Sequence, residues 1–76
     1  MKIEIRDLGL AAALSSLNFE IVGTETDAKG RTQFIFSDTP ELQNAVKDYW
    51  ANSLDVKARY YFDAIKMLKS RIYGGK

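Results

Sequence analysis

The chain has 76 residues, 46% hydrophobic and 28% charged, with a formal net charge of +1 and neither cysteine nor histidine. That composition excludes a disordered chain, a disulfide scaffold, a thiolate metal centre and any imidazole nucleophile, base or ligand. The length suits one small domain over residues 1–76, with Gly74, Gly75 and Lys76 as a frayed end.

Residues 2–6, KIEIR, alternate strictly, with Ile3 and Ile5 on one face and Lys2, Glu4 and Arg6 on the other. That spacing predicts a half-buried strand. Asp7 then stands as N-cap to LGLAAALSSL, where Leu10, Leu14 and Leu17 fall at i, i+4 and i+7 among small alanines. This is a short helix able to sit close to a sheet, ended by Asn18 in the left-handed conformation. Gly9, in its first turn, is read as a close-packing residue and not as a phosphate contact.

FEIVGTET and TQFIFS flank DAKG, a turn in which Gly30 is free to take positive φ, so the two runs form a hairpin. Phe19 and Ile21 share one face, as do Phe34 and Phe36; with Ile3 and Ile5 they make the buried side of a three-stranded sheet. Val22 and Ile35 lie on the other side among Glu20, Thr24 and Gln33.

DTPEL opens the next helix: Thr39 or Asp38 caps, Pro40 takes the first helical position and Glu41 favours the positive dipole end. Leu42, Ala45, Val46, Tyr49 and Trp50 complete an apolar stripe, so both aromatics are expected in the core rather than as stacking platforms. ANSLD breaks that helix, and a last one runs from about residue 56 or 57 to 73. The fold class is α+β, in the order β-α-β-β-α-α, with an antiparallel or mixed three-stranded sheet and helices packed on one face.

Catalytic motifs are missing. The chain holds no P-loop, GxGxxG or GxSxG stretch. Glu25 and Asp27, the nearest carboxylate pair, fall at the hairpin turn and are read as solvated turn chemistry rather than a metal site. The RYYF tyrosines lack the histidine or carboxylate cluster that a nucleophile would need. The expectation is a non-enzyme with no cofactor and no metal.

The last helix divides by face at 100° steps. Ala58, Tyr61, Phe62, Ile65, Leu68 and Ile72 form the expected core arc; Lys69 falls inside it and is read as an edge residue, its stem over apolar surface and its ammonium in water or on a carboxylate such as Asp48, rather than as a buried lysine with a fixed ligand contact. Arg59, Tyr60, Asp63, Lys66, Met67, Ser70 and Arg71 lie opposite, and Asp63 is spaced to neutralise Arg59 and Lys66. Tyr60, Ala64, Met67 and Arg71 line up as a narrower stripe of interface composition.

DLGLAAALSSLNFEIVG, FIFSDTPELQNAVKDYW and VKARYYFDAIKMLKSRIY resemble a small uncharacterised family of bacteria, archaea and their viruses, carried as a domain of unknown function. The likeness rests on a DLxLAAxL helix, a phenylalanine-rich strand and a closing LKSRIY, and covers nearly all the chain. Gly9 stands where that pattern has a bulkier residue. The resemblance implies a cytoplasmic prokaryotic or phage protein and supplies no catalytic residue.

Two functions follow as expectations. The leading one is a small non-catalytic binding or regulatory module that uses Tyr60, Ala64, Met67 and Arg71 on a protein partner, or on itself as a homodimer. The alternative is a nucleic-acid-binding accessory protein using Arg59, Lys66, Lys69, Arg71 and Tyr73. Charge favours the first, because the near-neutral chain offers little general attraction to polyanions. No membrane association is expected, since the longest apolar run, residues 8–14, is too short to span a bilayer.

Overall fold

A computed structural model of the chain describes residues 1–73; residues 74–76, where fraying was expected, lie outside the described residues. Strand β1 (Lys2–Ile5) leads to helix α1 (Leu8–Ser16) and then to the hairpin of β2 (Ile21–Thr26) and β3 (Thr32–Ser37). Helices α2 (Pro40–Trp50) and α3 (Ala58–Tyr73) follow. The architecture is α+β with the expected element order.

The sheet order is β1-β3-β2 and both pairings are antiparallel. Strands β1 and β2 are therefore parallel to each other with β3 between them, separated by about 10 Å, roughly one helix diameter. Helix α1 makes the connection between them. Ile3 pairs with Phe36, Ile5 with Phe34 and Ile21 with Phe36, which builds the expected buried face. Phe34 and Phe36, on the central strand, are fully enclosed.

The far side of β2 departs from simple alternation. A register shift at Val22 pairs Gly23 with Ile35 and brings Thr24 opposite Phe34. Opposed residues share a face, so Thr24 lies on the Phe34 side and not beside Val22 as its spacing predicts. The extra residue of a bulge resets the period of two.

Every local punctuation signal works as chemistry. The Leu10 N–H donates to Asp7 Oδ1 (3.0 Å) and the Leu42 N–H to Thr39 Oγ1 (3.1 Å), capping α1 and α2. Asn18 takes φ 73° beyond α1, and Gly30 takes φ 81° in the hairpin turn. There Asp27 Oδ1 accepts from the N–H groups of both Lys29 and Arg31 at 2.9 Å.

On the open face of the sheet, Gln33 is buried yet satisfied. With its amide nitrogen facing Glu4 it donates to Glu4 Oε1 (2.9 Å), and its oxygen accepts from Arg6 Nε (3.1 Å).

Helix α1 is the hub of the helical layer. Leu10, Ala11, Ala12, Ala13 and Leu14 are all buried, and α3 packs mainly against this helix. The small alanines allow neighbouring helices to come close, and α2 and α3 each bring an alanine, Ala45 and Ala64, into the same core.

Candidate functional site

The close approach at Ala64 sets how α3 is turned. Its buried and half-buried residues are Tyr61, Ala64, Ile65, Leu68 and Ile72, an arc of about 100° at 100° per residue. Relative to the apolar arc read from the sequence, the helix is rotated by about 50° towards Ala64. Ala64, expected on the outer stripe, is only 7% exposed, whereas Phe62, expected in the core, is 59% exposed. Ala58 is exposed as well. Placing the helix by its largest apolar side chains therefore gives the wrong face, with Ala64 turned towards Ser15 and Ser16 of α1 and Phe62 turned outward.

Two outward flanks result. On the first stand Tyr60, Asp63, Met67 and Arg71, all exposed. Tyr60, Asp63 and Met67 join Ser15, Ser16 and Asn18 of the α1 end around a groove of about 500 Å³, with Ala64 among its lining residues. A second hollow of about 450 Å³, formed with Asp55, Val56 and Lys57, shares Ser16, Asn18 and Tyr60 with it. Tyr60 is the partition between the two.

On the other flank Arg59, Phe62, Lys66, Lys69 and Tyr73 follow at spacings of three, four, three and four, within about 80° of the helix circumference. All five are exposed, Tyr73 at 80%. Lys69 is a surface residue, as its edge position suggested. Lys66 Nζ lies 5.1 Å from the centre of the Phe62 ring, a cation–π contact one turn long. Arg71 is on the opposite flank from these residues, so the five positions first grouped for nucleic acid do not all share one face.

Asp63 stays one helical turn from both Arg59 and Lys66 and offsets part of their charge, without a direct ion pair. Among the described residues the ion pair formed is Arg31 with Asp27 at 3.6 Å, and neither Arg59 nor Lys66 is paired with Asp63. Helix α3 carries four basic residues against one acidic, hence +3, while the rest of the chain, with seven basic against nine acidic, carries −2. The near-zero total conceals a polar molecule.

Trp50 is a further outward aromatic that the sequence places in the core. It is 62% exposed, edge-on to Tyr49 with ring centres 5.0 Å apart, and lines a hollow of about 370 Å³ with Tyr49, Tyr61 and Leu54. Helix α2 is buried only as far as Leu42, Ala45, Val46 and Tyr49. No group of three or more carboxylates that could hold a metal occurs among the described residues, and no described helix is long and apolar enough to cross a membrane.

The model of a family described as a domain of unknown function, DUF5659, matches residues 1–74. The chain belongs to this family. No curated protein and no solved structure matches it. Membership of DUF5659 agrees with the resemblance to an uncharacterised domain family, and it brings no activity or ligand to the two flanks of α3.

Proposed function

We propose that this DUF5659 chain is a small non-catalytic binding or regulatory module that engages a protein through the Tyr60–Met67–Arg71 flank of α3, in its concrete form a second copy of itself. One observation carries the reading: Tyr60 and Met67 stand exposed as walls of the groove that α3 forms with the end of α1. Tyrosine, methionine and arginine are the residues that interfaces favour.

The flank is also self-complementary. In an antiparallel crossing of two α3 helices about a two-fold axis at Met67, residues 63 and 71 are equally distant from the centre. Asp63 of one copy then meets Arg71 of the other, twice, as an isologous contact requires. Neither residue is ion-paired within the chain among the described residues.

A cysteine-free domain held together by packing alone suits a reducing cytoplasm, where we place it. Light scattering over a concentration series tests the reading: Tyr60→Ala with Met67→Ala should abolish any mass above that of the monomer.

A further inference from the structure

We propose that the opposite flank of α3 binds single-stranded nucleic acid, with Arg59, Lys66 and Lys69 on phosphates and Phe62 and Tyr73 stacked on bases. This goes beyond the protein-binding reading, because it uses none of Tyr60, Met67 or Arg71.

The stripe gathers what such a strand requires. Three cations alternate with two exposed aromatic rings along one line of the helix, with Asp63 bordering the line beside Arg59. From Arg59 to Tyr73 that line runs about 21 Å, which matches roughly six phosphates of a stacked strand. Lys66 already lies over the Phe62 ring, so a base on the ring's free side and a phosphate on the ammonium would be contacted together. The negative end of the helix dipole is at Tyr73, which directs phosphates towards Arg59 and Lys66.

Other polyanions fit less well. Phe62 and Tyr73 are separated by about 16 Å along the axis with lysines between them, so they form no continuous apolar strip to sink into a bilayer. A duplex hides the base faces that the two rings would cover.

The whole chain should therefore bind a fluorescein-labelled oligo-dT of about ten nucleotides, followed by anisotropy, with Kd on the order of 10–100 µM at low salt. Three phosphate contacts predict a log–log salt slope near −2, an affinity loss of roughly twentyfold between about 50 and 200 mM salt. Phe62→Ala and Tyr73→Ala should each weaken binding roughly tenfold and leave the slope unchanged. Lys66→Ala with Lys69→Ala should bring the slope to about −0.7. Both rings are exposed, so the aromatic variants should retain the wild-type thermal midpoint, which is measured alongside.

Tyr60→Ala with Met67→Ala should leave oligonucleotide binding intact, so failure of either surface is distinguishable from failure of the other. No binding at low salt overturns the proposal. So does binding indifferent to Phe62→Ala and Tyr73→Ala, or equally tight on duplex DNA or anionic phosphatidylserine vesicles, since each would mean that charge alone acts.

Discussion

The Tyr49 hydroxyl occupies the place where a side chain at Gly9 would have to go: a Cβ built there would stand 2.6 Å from Tyr49 Oη. Tyr61 Oη and Asp7 Oδ1 would each be 3.2 Å away. Two tyrosines from different helices thus converge on the first turn of α1, and burial, then the Asp7 charge, then Tyr61 raise the Tyr49 pKa. Gly9→Ala gains up to about 1 kcal/mol of helix propensity, but the clash costs about 1–3 kcal/mol. The variant should be less stable in urea denaturation. Adding Tyr49→Phe, which removes the clashing oxygen, should recover part of the loss and reveal coupling between the two sites.

The rotation of α3 predicts an inversion of side-chain worth. Phe62→Ala should change stability by less than about 0.5 kcal/mol, as an exposed substitution does. Leu68→Ala, at a fully buried position, should cost about 2–5 kcal/mol. Ala64→Leu, which forces a larger side chain against α1, should cost about 1–3 kcal/mol. Thermal or urea unfolding of the three variants checks the orientation, and a Phe62→Ala loss matching that of Leu68→Ala would contradict it.

Most of the fold was legible because its signals are local. Asp7, Asn18, Gly30, Thr39 and Pro40 each act within a few residues of their own position, so each can be read without knowing what lies across the core. The orientation of α3 was not local. It depends on how α3 seats against α1 and the rest of the core, which no spacing within α3 reveals. Trp50 and the Val22 bulge were hidden for the same reason, since both depend on how far a neighbouring element extends. Of the candidate site, Arg59, Lys66, Arg71, Tyr60, Met67 and Tyr73 were identified as outward; Lys69 was placed at the core edge, Ala64 was expected outward but is buried, and Phe62 was missed. Its spacing of three from Arg59 and four from Lys66 was the available signal.

The two helix caps should be worth similar amounts. Asp7→Ala and Thr39→Ala each remove the acceptor of one first-turn N–H, and each should cost about 1 kcal/mol. Asp7→Asn, which keeps an acceptor, should cost less. Urea midpoints at neutral pH measure all three.

Asp27 gives the hairpin a pH dependence. The Arg31 N–H, then that of Lys29, and the Arg31 and Arg6 charges hold its carboxyl below the ordinary range, against an opposing effect of desolvation. A depressed folded-state pKa means stability that is present above the unfolded carboxylate pKa and is lost as pH falls through the folded value. Asp27→Asn should therefore lower the thermal midpoint at neutral pH and match the wild type in strong acid, below both values. A difference that persists undiminished there would mean that the charge contributes nothing.

The claim that α3 turns a protein-binding flank outward is tested most directly by the molar mass of the intact chain, measured by light scattering from low to millimolar concentration. The mass should rise from the monomer's 8.6 kDa towards twice that value, and a Tyr60→Ala, Met67→Ala variant should stay at 8.6 kDa throughout. A wild-type chain that remains at the monomer mass at the highest concentration, or a double variant that associates as well as the wild type, would contradict it.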